Sequence, residues 1–223
     1  EIRHLRPVLR KASDGVLDIF GYSLLNSTRE HAADLLVERA TASIKTKVAF
    51  LNAHCINTAY VDPSYARCLR HMDLLLPDGA GIKLAAQLSN QKLIENLNGT
   101  DLFPLICKRA AKMRQAVYLL GARPGVAEHV AKTMKAQFPS LRIAGTRHGY
   151  FSQDENKAVI ADINRSGAAL VFIAMGVPAQ EKWIEHFSNE LDAPVVLGVG
   201  GLFDFYSGRI PRAPELLREN GLE

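Results

Sequence analysis

The chain is poor in the groups on which many enzyme classes depend. It has three cysteines, Cys55, Cys68 and Cys107, far apart, with no CxxC and no metal-ligand spacing. An odd, scattered count fits reduced thiols in a cytoplasmic protein rather than a disulfide framework. Tryptophan occurs once, at Trp183, and aromatics make up 7% of the 223 residues. No apolar run approaches the roughly 18 residues that a membrane span requires, and no signal peptide is present. The formal net charge is only +4. There is no dense basic block with interleaved aromatics, so nucleic acid is not an expected partner. GxGxxG and GxxxxGK[ST] are both absent, which argues against dinucleotide and P-loop sites. DxD, HExxH and GxSxG are missing too, so neither a metal-bound nucleotide nor a serine nucleophile has support.

What is present is alternation. Ala169–Ala174 is a continuous apolar run, the pattern of a strand buried on both faces of a parallel sheet. Gly176 and Pro178 break it, and Trp183, Ile184 and Phe187 then recur at helical spacing. Further strands are expected at Val16–Phe20, Val48–Asn52, Asp73–Pro77, Ala116–Gly121, Leu141–Gly145 and Pro194–Gly200, with helices between them. Ser27-Thr-Arg-Glu30 and Ser152-Gln-Asp-Glu155 read as capping boxes, and Asp62-Pro63 as an N-cap followed by proline at the first helical position. The pattern predicts an α/β fold: a Rossmann-like, doubly wound, mostly parallel sheet with helices on both faces. Residues 1–15 are expected to be a mobile basic arm and 16–223 one catalytic domain. The chain stops at Asn220-Gly-Leu-Glu223, inside what reads as a continuing segment, which suggests a C-terminal truncation.

In open α/β sheets ligands bind at the carboxyl ends of the strands. Asn52, Asp78, Asn98, Gly121, Tyr150, Gln180 and Asp204 all stand at such ends. Asp78 is flanked by Pro77 and Gly79. It is either a general base at the mouth of the site or the cap of the next helix. Gly121-Ala-Arg-Pro-Gly125 offers backbone amides and a helix N-terminus to a diphosphate, or is simply a glycine turn. Gly198-Val-Gly-Gly201 gives backbone access or tight packing. Asp204 could meet a base or ribose, or cap a helix. Tyr150 could stack on a ring or plug the core. His54 is an acid–base candidate or a structural histidine, and Gln180 points an amide at the crevice.

Six ordered motifs carry a resemblance over nearly the whole chain from Val16. They are Leu76-Pro-Asp-Gly-Ala-Gly-Ile82, Asn98-Gly-Thr-Asp101, His148-Gly-Tyr-Phe151, Met175-Gly-Val-Pro-Ala-Gln-Glu-Lys-Trp183, Gly198-Val-Gly-Gly-Leu-Phe-Asp204, and Arg212-Ala-Pro214 with Gly221-Leu-Glu223. The sequence resembles the WecG/TagA/CpsF glycosyltransferases, glycosyltransferase family 26. Leu51-Asn-Ala-His-Cys55 with Asn96-Leu-Asn-Gly-Thr-Asp101 is most similar to the exopolysaccharide branch, which includes xanthan-type β-1,4-glucosyltransferases.

The resemblance implies inverting transfer from a UDP-sugar to a polyprenyl-diphosphate-linked sugar on the inner membrane face, without a metal or other cofactor. It places the base on Asp78 and the donor-site glutamine on Gln180. Asn52, His54, Asn96, Gly121, Tyr150, Phe151, Gly176, Gly200 and Asp204 are the substrate-binding positions expected with them. UDP-glucose is the first donor expected and UDP-N-acetylmannosamine the alternative. Family members carry a basic C-terminal tail that docks on the membrane, and it is missing from this sequence. Phe50 stands where other branches have threonine, and Asn96 where arginine is common; both changes bear on how the donor is held. Rival readings are a nucleotide-binding module without catalysis and a dehydrogenase.

Overall fold

The structure, a computed structural model, describes residues 15–208. The N-terminal arm, the Arg212-Ala-Pro214 motif and Gly221-Leu-Glu223 lie outside the described residues.

The described residues open with two short strands rather than one. β1 (Gly15–Ile19) and β2 (Tyr22–Asn26) form an antiparallel hairpin, with Ile19 opposite Tyr22. Phe20 and Gly21 both take positive φ, 53° and 76°, as a two-residue hairpin turn requires. Then α1 (Arg29–Thr41) begins, capped by Thr28, whose side chain accepts from the His31 amide. The expected Ser27–Glu30 box therefore fails by one position. Ser27 is buried, and Glu30 reaches across to Arg109 instead.

The remaining strands alternate with helices. They are β3 (Thr46–Leu51), β4 (Leu74–Pro77), β5 (Ala116–Gly121), β6 (Arg142–Arg147), β7 (Leu170–Ala174) and β8 (Val195–Gly198). Between them run α2 (Ala53–Val61), α3 (Pro63–Arg70), α4 (Gly79–Leu88), α5 (Gly99–Lys112), α6 (Val126–Gln137), α7 (Asn156–Ser166), α8 (Ala179–Phe187) and α9 (Leu202–Tyr206). The cap predictions at Asp62 and Ser152 hold: Asp62 accepts from the Ser64 and Tyr65 amides, and Ser152 and Glu155 cap each other reciprocally.

The sheet order is β1-β2-β4-β3-β8-β7-β5-β6, and every pairing except β1 with β2 is parallel. Helices cover both faces, which is why the inner strands read as unbroken apolar runs. Along β5, Val117 and Leu119 enter one core with Phe103, Phe172 and Leu197. Tyr118 and Leu120 enter the other with Tyr65, Ile173 and Ile184. This is the Rossmann-like α/β arrangement expected. Its two halves meet where β3 pairs with β8, and the carboxyl ends of the parallel strands are where such sheets open a crevice.

The candidate active site

A cleft of about 160 Å³, open at its mouth, lies at the carboxyl ends of β3, β4, β7 and β8. Asn52, Asp78, Gln180 and Gly200 line it together, with Phe50, Cys55, Thr100, Val177 and Phe205 among the other walls.

One wall is built by two helix starts. Asn52 ends β3 and caps α2, its Oδ1 accepting from the Cys55 amide at 3.0 Å. Its Nδ2 donates to Asp78 Oδ2 at 3.2 Å. Asp78 precedes α4 but makes no side-chain cap bond there. The helix-cap reading of this aspartate is thus set aside, and the carboxylate faces the cleft. Gly81 permits the juxtaposition: a Cβ on it would sit 3.0 Å from that of Ala53, so a larger residue would push the two helix starts apart. Behind Asp78, the Asn96 Oδ1 accepts the Gly79 amide at 2.9 Å. Asn96 therefore shapes the Asp78 turn and is not among the residues lining the cleft.

The other wall comes from β7 and β8. Gly176 turns the chain with φ 79°, and its carbonyl accepts the Gln180 amide at 3.0 Å. Gln180 is 2% exposed. Its Oε1 accepts the Gly200 amide at 2.8 Å, and its Nε2 donates to Glu181 Oε1 at 2.7 Å. The amide lines the cleft while holding the turn after β8.

The other expected site residues fall elsewhere. Gly121 belongs to the end of β5, and Gly149 packs against Gly121 from the end of β6. Tyr150 stands beside them and is 67% exposed, so it is not a core plug. Phe151 is half-buried against the core, with the Arg147 guanidinium 5.9 Å over its ring. His54 is exposed on the first turn of α2. Asp204 lies on α9 outside the cleft lining, where its neighbour Phe205 enters instead. Among the described residues, no group of three His, Cys, Asp or Glu side chains is placed to hold a metal ion.

Sequence reasoning missed Glu181. It is fully buried, and burial pushes its carboxyl up to about 7 against the partly compensating hydrogen bond from Gln180. Spacing could have found it, since Glu181 and Ile184 share a helix face. Flanked by Gln180 and Lys182, however, it reads as a solvated position. An acid whose pKa rises on folding stabilises the fold fully below its ordinary 4.5, and the contribution is lost as the pH climbs through 7. The shift is worth at most about 3 kcal/mol. The expected result is a melting temperature that falls by several degrees between about pH 5 and pH 8 in the native chain. In Glu181→Gln that part of the fall should be absent, as thermal scans across the range would read directly.

The sequence has a match among known protein families. The model of the Glycosyl transferase WecG/TagA/CpsF family matches residues 17–223. The chain belongs to this family. One relative is the N-acetylglucosaminyldiphosphoundecaprenol N-acetyl-beta-D-mannosaminyltransferase of Bacillus subtilis (strain 168), 29% identical over 90% of this chain and 75% of that protein. The protein of the same name from Bacillus spizizenii is 32% identical over 74% of this chain and 63% of its own length. As a WecG/TagA/CpsF member, the chain is a glycosyltransferase, and residues after β4, at the start of α8 and at the end of β8 line its cleft. No helix among the described residues is long and apolar enough to cross a membrane.

Proposed function

We propose that this glycosyltransferase moves a sugar from a UDP-sugar to a polyprenyl-diphosphate-linked sugar, with inversion, using Asp78 as base. The observation that carries the reading is the Asn52–Asp78 pair. A carboxylate is fixed by a neighbouring amide at the mouth of the sheet, on the wall facing Gln180 and the Gly200 turn. In the reaction the acceptor hydroxyl gives its proton to Asp78 while its oxygen forms a bond to the anomeric carbon. The bond from that carbon to the UDP oxygen breaks, and UDP leaves with the electron pair.

Nucleotide and diphosphate are assigned to the ends of β5, β6 and β7, with the amides of Gly121–Gly125, the start of α6 and Tyr150 as their wall. Arg123, exposed on that turn, supplies positive charge. The sugar then points toward Asn52 and Asp78. Metal independence is part of the proposal, with backbone amides and Arg123 in the role a divalent ion plays elsewhere. Exposed apolar residues on α2 and α4, among them Tyr60, Val61 and Leu88, suit approach of a lipid-linked acceptor from the membrane side.

The names of the relatives favour N-acetylmannosamine as the donor sugar. A second reading, glucose and an exopolysaccharide product, rests on the likeness of Leu51-Asn-Ala-His-Cys55 with Asn96-Leu-Asn-Gly-Thr-Asp101 to the exopolysaccharide branch. The test supplies labelled UDP-N-acetylmannosamine and UDP-glucose separately, in EDTA, with lipid-diphosphate acceptors bearing N-acetylglucosamine or glucose. Product from one donor names the sugar. UDP binding without product from any combination would leave only a nucleotide-binding module, and a strict need for added metal would remove the metal-independent part.

A further inference from the structure

The first turn of α8 holds a carboxyl that the proposed chemistry does not use. Glu181 is fully buried, and one oxygen, Oε2, has no hydrogen-bond partner among the described residues. No cation answers it: Lys182, next in sequence, turns outward to Asp62 at 2.7 Å, and Glu185 takes Lys47 and His71. The groups that face it are Tyr65 and Cys68 from α3 and Cys55 from α2, all acidic or neutral. A buried carboxyl without a cation costs stability, and an apolar residue would serve packing better.

Its side-chain bond to Gln180 explains what it does. The Gly200 backbone N–H can only donate, so the atom of Gln180 that meets it must be the amide oxygen. The amide nitrogen then points the other way, where it donates to Glu181 Oε1. Were the Gln180 amide reversed, two N–H groups would meet at Gly200, and an ionised Glu181 would face a second oxygen. The carboxyl thus removes the wrong rotamer. Gly200 itself is left-handed, φ 56°, and its turn forms part of the cleft wall.

We propose that Glu181 is a positioning residue: by accepting from Gln180 Nε2 it fixes the Gln180 amide, which in turn fixes the Gly200 turn against which the donor sugar-nucleotide is held. The role of the turn in donor binding rests on the function proposed above; the locking of the turn does not.

The test uses the full chain with Glu181→Gln, which keeps an acceptor oxygen, and Glu181→Leu, which fills the space without one. Two quantities are read in each: exchange of the Gly200 amide hydrogen by NMR, and KM against kcat for the UDP-sugar. Glu181→Leu should exchange Gly200 about tenfold faster and raise donor KM by about tenfold, with kcat far less affected. Its melting temperature should equal or exceed that of the native chain, which separates positioning from a folding defect. Glu181→Gln should restore both readings to near native values. Unchanged Gly200 exchange in Glu181→Leu would overturn the proposal whatever the activity. So would equal impairment in the two variants, since charge rather than an acceptor would then be at work. If the native chain makes no product but Gly200 exchange still follows Glu181, the transferase reading fails and the amide lock stands.

Discussion

Asp78→Asn is expected to reduce sugar transfer by about 10²–10⁴-fold while leaving UDP binding within about twofold of native. The substitution keeps the shape of the side chain and an oxygen that can accept from Asn52 Nδ2, now at 3.2 Å from the carboxylate. What it removes is the capacity to take a proton from the attacking hydroxyl. Because Asp78 does not cap α4 through its side chain, the helix loses no cap bond and the melting temperature should move little. Transfer of labelled sugar to a lipid-diphosphate acceptor, beside calorimetry with UDP, separates the two effects. Turnover within about threefold of native would remove Asp78 from the role of base. Loss of UDP binding together with turnover would make it a binding residue instead.

The second large effect concerns stability. Gly121→Ala should lower the melting temperature by roughly 8–16 °C or prevent folding altogether. Gly121 has φ 137°, a region costly for any residue with a Cβ. It is also the last residue of β5, paired with Ala174 of β7. A Cβ there would lie 2.4 Å from the Ala174 carbonyl oxygen and 2.6 Å from that residue's nitrogen and carbonyl carbon. These are backbone atoms of a strand buried on both faces, so they cannot turn aside as a side chain would. Strain and forced separation of two central strands together amount to about 4 kcal/mol or more. A melting curve within about 3 °C of native would show that the strand ends yield more easily than this geometry implies.

Much of this arrangement was readable in advance, for a physical reason. Buried parallel strands need apolar residues on both faces, so Leu170–Ala174, Ala116–Gly121 and Val195–Gly198 announce themselves, while Asn52 and Asp78, each directly after a strand, mark sheet ends. Asn52, Asp78, Gln180 and Gly200 could be gathered on that basis alone. The hairpin strand Tyr22–Asn26 could not, because Phe-Gly is not the usual hairpin dipeptide and the strand is only five residues long. The cap at Thr28 slipped past because Ser27 and Thr28 are equally good cappers, and only burial of Ser27 decides between them. Asp204 shows a different limit: its place after a strand was right, but the rotation of α9 puts Phe205 into the cleft instead. Glu181 was hidden because its hydrogen bond is to the residue beside it, and spacing reports faces rather than partners.

The seam between β3 and β8 has a further meaning. Asn52 and Asp78 are carried by one stretch of chain and Gln180 and Gly200 by another. The strands that join the stretches pair Thr46 with Val195, about 150 residues away. The site therefore has no local precursor. Neither stretch alone holds a weakened version of it, and it comes into being only when the longest loop in the sheet closes, against the entropy of that closure. Folding and completion of the cleft arrive in one event, so an incompletely folded chain has no half-built cleft.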